Sequence, residues 1–211
     1  MQPLKQSYTV KTFDVGPMQN LIYLITDLET RQTAIIDPAW DISAVKDYIK
    51  TNQLVLKKIL LTHSHHDHVN SIDELLVMFD IEIFLNRKEK IFWGKEYDNF
   101  VINYGGDIIE LGSTKIKSIH TPGHTPGSTC YYVGNKLIAG DTLFVFGCGR
   151  CDLDGGDPEA MFETLKNLKS SLDKNTIILP GHDYSVKRES TIEEQITGNP
   201  FMHFGDLKKF E

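Results

Sequence analysis

The segment Leu61-Thr62-His63-Ser64-His65-His66-Asp67-His68 sets four histidines and a carboxylate within six positions. Imidazole and carboxylate are the usual ligands of zinc and related ions. As core residues, each would need a polar partner of its own. In a nearly extended loop, alternate side chains point the same way, so His63 and His65 would face one ion. Asp67 and His68, just past a turn, would reach a second. Such a loop needs a rigid frame on either side of it, and that requirement narrows the folds open to the chain.

The flanking pattern supplies a frame. Lys57–Leu61 reads as a buried strand running into the loop, and Ser71 with Glu74 reads as a capping box for a helix carrying Leu75, Leu76 and Phe79. Upstream, Tyr8–Phe13, Asn20–Thr26 and Thr33–Ile36 read as an antiparallel meander, with turns at Gly16-Pro17 and Asp27–Arg31 and a stop at Asp37-Pro38. Asp41–Lys50, with Ile42, Val45 and Ile49 on one face, is expected to be a helix capped by Asp41. Downstream come strand Ile81–Leu85, a short helix over Asn86–Trp93 closed by Gly94, and strand Asp107–Leu111. Trp93, Tyr97, Phe100 and Tyr104 are spaced as one face, which either packs in the core or covers the site. Further strands are expected at Lys115–His120, Thr129–Val133, Lys136–Ala139 and Thr176–Leu179. A helix starts at Asp157-Pro158, and a last short one covers Thr191–Gln195. No linker or short repeat divides the chain, so a single domain over residues 1–211 is expected.

Three more potential ligands stand at the carboxyl ends of these strands: His124 in Thr121-Pro-Gly-His-Thr-Pro-Gly, Asp141 in Gly-Asp-Thr, and His182 in Pro-Gly-His-Asp-Tyr. Each alone is a common turn residue. The net charge of −7, without a basic run, leaves no electrostatic footprint for nucleic acid, and two divalent ions would cancel over half of it. No apolar run approaches membrane-spanning length, and Met1–Val10 lacks a signal-peptide pattern. Three cysteines do not make a disulfide framework, so a reducing cytoplasm is the expected location.

Taken in order, His-x-His-x-Asp-His, His124, Asp141 and His182 resemble the metallo-β-lactamase fold superfamily over nearly the whole chain. Thr121–Tyr132 and Gly140–Arg150 are similar to its glyoxalase II group. The resemblance implies an α+β fold, a four-layer αββα sandwich. It also implies two Zn2+ ions bridged by Asp141, with His63, His65 and His124 completing one site and Asp67, His68 and His182 the other. Two ions roughly 3.5–4 Å apart lower the pKa of a shared water toward about 7. A metal-bridging hydroxide, oriented by Asp67 as the catalytic carboxylate, would then cleave a thioester. No Gly-x-Ser-x-Gly elbow is present, and this chemistry needs none.

The glyoxalase II group hydrolyses glutathione thioesters. The resemblance implies that Arg150 and Tyr184 contact such a substrate, together with an aromatic two positions after the basic residue and a carboxyl-terminal helical extension. Here Asp152 takes the aromatic's position, and the chain stops about where the extension would begin, with Lys208-Lys209 near its end. Asp152 would repel glutathione's carboxylates unless a cation intervened. The Cys148–Leu153 segment with the following Gly-Gly-Asp-Pro is similar to short zinc hydrolases encoded with bacterial polyketide synthases, which act on acyl carrier-protein or small-thiol thioesters. Phe144 and Phe146 are expected to wall the pocket. The alternative reading is a persulfide dioxygenase of the same fold. Such an enzyme holds one Fe2+ through the equivalents of His63, His124 and Asp141, and resembles the His182-Asp183-Tyr184 and Ser190–Pro200 stretches. Cys148-x-x-Cys151 reads as structural, Cys130 as buried, and His203 as non-catalytic. His66 and His120 read as residues behind the ligands or exposed.

Overall fold

The strand Asn20–Asp27 is buried at every position, and its two faces serve different cores. Ile22 and Leu24 enter one apolar cluster, while Leu21, Tyr23 and Ile25 enter another. A strand covered on both sides belongs to an inner layer of a sandwich. The computed structural model describes residues 7–205 and 207–210, so the first six residues of the stretch examined for a signal peptide lie outside it.

Strands β1 (Tyr8–Val15), β2 (Asn20–Asp27), β3 (Gln32–Ile36), β4 (Val55–Leu60), β5 (Glu82–Asn86) and β6 (Phe100–Asn103) form the first sheet in that order. Its first two pairings are antiparallel and the rest parallel. The second sheet contains β7 (Ile108–Leu111), β8 (Thr114–His120), β9 (Thr129–Val133) and β10 (Lys136–Gly140). After a small hairpin, β11 (Leu143–Phe144) and β12 (Gly147–Cys148), come β13 (Ile177–Pro180) and β14 (Ser190–Thr191). The order in this sheet is β14-β13-β10-β9-β8-β7, with β10 and β13 parallel.

Helices α1 (Ser43–Thr51), α2 (His66–Val69), α3 (Ile72–Met78), α4 (Arg87–Trp93), α5 (Pro158–Ser171) and α6 (Ile192–Gly198) lie outside the sheets or at their ends. Val45 and Ile49 of α1 and Ile72 and Leu75 of α3 close the outer face of the first sheet. Tyr23, Ile36 and Phe84 meet Leu111, Tyr131 and Leu179 between the sheets. Met161, Leu165 and Leu168 of α5 cover Leu137 and Ile178 on the far side. These three cores separate four layers, helix–sheet–sheet–helix, which is the α+β sandwich expected. No helix among the described residues is long and apolar enough to cross a membrane.

Several local expectations change. Ser71 and Glu74 form no capping box: Ser71 Oγ donates to the Trp40 carbonyl at 2.6 Å, and Glu74 pairs with Lys46. The box stands instead at Thr191 and Glu194, opening α6. Asp41 lies one residue before the cap of α1 and accepts the Ser43 N–H at 2.9 Å. Phe100–Asn103 is a strand where no strand was expected, because its aromatic neighbours imitate a helical spacing. Trp93, Tyr97 and Phe100 pack on the first core, and Tyr104 is exposed. They do not cover the site.

Candidate metal centre

The carboxyl ends of strands from both sheets converge at one edge. The chain leaves β4 into Thr62 and His63, β8 into the loop carrying His124, β10 into Asp141, and β13 into Gly181 and His182. His65 is extended, and the single turn of α2 that follows carries Asp67 and His68 round toward the second group. Gly181 is required here, since a Cβ would run into the Asp141 carboxylate.

Three donor groups have ligand atoms within 4.8 Å of one another: the trios His63/His65/His124 and Asp67/His68/His182, and a third, Asp37/His63/His68, that draws a histidine from each. His65 Nδ1 faces His124 Nε2 at 2.9 Å, and His68 Nε2 faces His182 Nε2 at 3.2 Å. Asp141 lies between the trios: Oδ2 is 3.6 Å from His124 Nε2 and 3.3 Å from His182 Nε2, and Oδ1 is 3.4 Å from His68 Nε2. His63 Nε2 and Asp141 Oδ1 are buried without a hydrogen-bond partner.

The remote ring nitrogens decide what these atoms can do. His68 Nδ1–H donates to Asp37 Oδ2 at 3.0 Å, His182 Nδ1–H to the Met18 carbonyl at 2.8 Å, and His124 Nδ1–H to the Arg150 carbonyl at 2.7 Å. Thr62 Oγ1 donates to Asp37 Oδ2 at 2.6 Å and can therefore accept from His63 Nδ1 at 3.0 Å. These bonds hold the proton on Nδ1 and leave each Nε2 lone pair aimed inward, the arrangement typical of metal-binding histidines. Two lone pairs facing each other at 3.2 Å repel, so this contact needs either a proton or a metal ion between the two nitrogens. The donor set fits two ions sharing Asp141.

The local charges agree. Burial and the neighbouring His68 push His63 well down, and burial with His124 takes His65 down to about 4, so both rings are neutral ligands near pH 7. Burial also opposes charge on His68, but Asp141, Asp37 and Asp67 outweigh it and raise the ring to about 9. Burial works against the Asp141 anion as well, yet His68 and His182 hold its carboxyl well below the usual range. A cation is thus favoured at the His68–Asp141 pole.

Residues behind the donors fix their positions. Asp37, in the left-handed region at φ 51°, ties Thr62 and His68 together. Asn20 Nδ2 donates to Asp67 Oδ2 at 2.9 Å, and Trp40 Nε1 donates to Asn20 Oδ1 at 2.8 Å. Glu89, fully buried, accepts from Ser64 N–H and Oγ at 2.8 and 2.7 Å through one oxygen. Its other oxygen accepts from Thr125 Oγ1 and Gly127 N–H at 2.7 and 2.9 Å. Glu89 therefore joins the loop of His63 and His65 to the loop of His124. None of these three was singled out from the sequence. In the sequence Asp37 reads as closing a strand before proline, Asn20 as opening a strand, and Glu89 only as part of the short helix expected over Asn86–Trp93.

The centre floors a cavity of about 660 Å³ lined in part by Met18, Phe144, Cys148, Arg150, Leu153 and Tyr184. Tyr184 stacks on His182 at 4.6 Å, and Phe144 meets both rings edge-on. Phe146 is not brought to this cavity. Its φ of 63° turns it toward Gly198, and its N–H donates to Gln195. The Arg150 guanidinium is held by Asp152 at 2.7 and 2.6 Å. His66 is exposed at the cavity edge, and His120 bonds the Pro126 carbonyl at 2.9 Å. Burial pushes Cys148 up to about 12 and Cys151 up to about 11, against any reading as an activated redox pair.

Residues 15–182 match the metallo-beta-lactamase superfamily. The chain is 31% identical over 206 residues to PksB of Bacillus subtilis, described as a probable polyketide biosynthesis zinc-dependent hydrolase, covering 94% of this chain and 91% of that one. It is 33% identical to a probable hydroxyacylglutathione hydrolase of Schizosaccharomyces pombe, covering 92% and 82%. ETHE1 from Myxococcus xanthus shares 26% identity and a TM-score of 0.86, covering 96% and 88%. The matched span contains both sheets' inner strands and every donor from His63 to His182, and on this ground the chain belongs to the metallo-beta-lactamase superfamily.

Proposed function

We propose that this chain is a zinc-dependent hydrolase that uses two ions to cleave thioesters of acyl groups carried on a small thiol or a carrier protein. The observation that carries the reading is the opposition of His68 Nε2 and His182 Nε2 beside an Asp141 shared with the other trio. Relatives named as a zinc-dependent hydrolase and a hydroxyacylglutathione hydrolase support the reaction class, and the first supports a setting in bacterial polyketide biosynthesis. His63, His65 and His124 would hold one ion and Asp67, His68 and His182 the other, with Asp141 between. When bound, the ions supply an acidified water as nucleophile and a Lewis acid for the carbonyl.

The protein's own groups do the rest. Asp67, braced by Asn20 and facing the cavity, is placed to orient the attacking water and take its proton. Phe144 and Tyr184 form an aromatic wall beside His182 against which the acyl or thiol limb can pack. Arg150 positions His124 through its carbonyl. Its guanidinium is paired with Asp152 in an exposed bridge, which lowers the net positive charge offered to a carboxylate-rich thiol such as glutathione.

The mononuclear iron alternative uses His63, His124 and Asp141, and gives no work to the facing pair His68 and His182. Metal analysis of the purified protein, with thiol release from acyl-N-acetylcysteamine thioesters, tests the proposal. Two zinc ions per chain and release of thiol are expected. One iron per chain, with oxygen uptake on glutathione persulfide and no thioester cleavage, would replace it with the dioxygenase.

A further inference from the structure

Two donors of the second trio, Asp67 and His182, are held from one place, the turn between β1 and β2. The Met18 carbonyl accepts His182 Nδ1–H at 2.8 Å, and the Gln19 carbonyl accepts the Asp183 N–H at 2.9 Å. Asn20 reaches the other way. Its Nδ2 donates both to Asp67 Oδ2 and to the Asp67 carbonyl, each at 2.9 Å. Asn20 is 2% exposed, so its remaining polar atom, Oδ1, needs a donor from the protein. Trp40 Nε1–H supplies it at 2.8 Å.

The indole is fixed in turn. The Trp40 backbone lies in the left-handed region at φ 58°, a conformation that a side-chain-bearing residue keeps only where its surroundings impose it. Its N–H donates to Asn70 Oδ1 at 2.6 Å, and its carbonyl accepts from Ser71 Oγ at 2.6 Å. The ring packs against Gly16 of the same β1–β2 turn, where a Cβ would run into it. It also meets the ring of His66 edge-on at 6.4 Å, at the start of the helical turn that carries Asp67 and His68. An indole N–H can donate but never accept, so it settles which end of the Asn20 amide faces Asp67. With the amide turned over, its carbonyl would oppose the carboxylate.

We propose that Trp40 is a positioning residue for the second ion, its N–H setting the Asn20 amide against Asp67 from the turn that also holds His182. The inference rests on the two-ion reading above. It adds the dependence of one trio on a side chain that is itself no ligand.

The test titrates zinc against a chromophoric chelator in the wild type, Trp40→Phe, Asn20→Ala and the double variant. His65→Ala, which disables the first trio, identifies the step that belongs to the second. Phenylalanine keeps a ring against Gly16 and removes only the N–H. Trp40→Phe should weaken zinc at Asp67/His68/His182 roughly tenfold and leave His63/His65/His124 within about twofold. In the Asn20→Ala background the same substitution should change second-site affinity by less than about twofold, because the amide it acts through is gone. A general loosening of the structure would weaken both sites and would persist without Asn20. A measurement that needs no change at position 40 is the Trp40 indole N–H resonance, told apart from that of Trp93 by Trp93→Phe. It should shift when the second trio fills and stay in place when the first does. Unchanged second-site affinity in Trp40→Phe, an undiminished effect without Asn20, or an indole resonance indifferent to second-site zinc overturns the positioning role. A single ion per chain in the wild type would instead remove the second trio as a metal site, and the inference with it.

Discussion

Glu89→Gln is the substitution that most directly tests how the first donor trio is held. The carboxylate is fully buried and accepts two backbone N–H groups and two hydroxyls. An amide keeps one acceptor oxygen and turns its NH2 toward two donors. The hydroxyl among them can rotate, Thr125 toward Ser128 Oγ for example, but the N–H of Ser64 or Gly127 cannot. Hydrogen bonds to a charged acceptor contribute about 1.5–3 kcal/mol each, and a stranded buried donor costs about 1–3. The variant should therefore lose about 3–5 kcal/mol, which for a chain of this size lowers Tm by roughly 6–20 °C. Loosening the loops of Ser64 and Thr125 should also weaken zinc binding at His63/His65/His124 by roughly 10–100-fold, while Asp67/His68/His182 keeps its ion. Competition with a chromophoric chelator resolves the two sites. Asp27→Asn is the control. Asp27 is equally buried and ties Thr30 to Ser113 and Thr114, a junction that contributes no donor to the centre. It should lower the melt and leave both zinc sites intact. If Glu89→Gln melted early yet bound two zinc ions as tightly as the wild type, its positioning role would be refuted.

Asp37→Ala strips His68 Nδ1 and the Thr62 N–H of their acceptor, and zinc affinity at the second trio should fall roughly 10–100-fold in the same competition assay. His68, raised to about 9 in the metal-free protein, carries a proton at pH 7 that an ion must displace. Zinc uptake at pH 7 should release that proton, with affinity rising as pH increases and the release disappearing above the raised value. Calorimetry in buffers of different ionisation enthalpy measures it, and pH-independent uptake would count against the charge arrangement. Cys148 and Cys151, pushed up to about 12 and 11 by burial, are protonated at pH 8. Iodoacetamide should leave them unmodified in the native protein and label them after denaturation, as mass spectrometry can show.

The four layers were implied by the family resemblance, while the apolar patterns marked individual strands and helices. Asn20–Thr26 is apolar on both faces, and its alternate residues do enter separate cores. Element ends were less legible. Ser71 and Glu74 have the spacing of a capping box, but a serine hydroxyl takes the best acceptor within reach, and the fold brings the Trp40 carbonyl to it. The edge strand Phe100–Asn103 is defined by pairing with β5 rather than by its own alternation.

The same distinction explains the centre. A metal ion demands particular atoms, so its potential ligands are confined to a few residue types, and their crowding from His63 to His68 stands out in one dimension. What orients those ligands is any hydrogen-bonding group that the fold delivers to the right place. Glu89 sits among Arg87, Lys88 and Lys90, where a solvent-facing helix is the natural reading, and becomes buried only because the Ser64 and Thr125–Gly127 loops close over it. Asp37 resembles an ordinary stop before proline until β4 brings Thr62 alongside it. Substrate-contacting residues fall between these cases. Phe144 and Phe146 are equivalent in sequence, yet the positive φ at 146 sends one to the cavity and the other to α6. Ligand identity is therefore a property of residue type, whereas ligand geometry and specificity depend on backbone turns and tertiary partners, and substitutions at Glu89 and Asp37 address that second part.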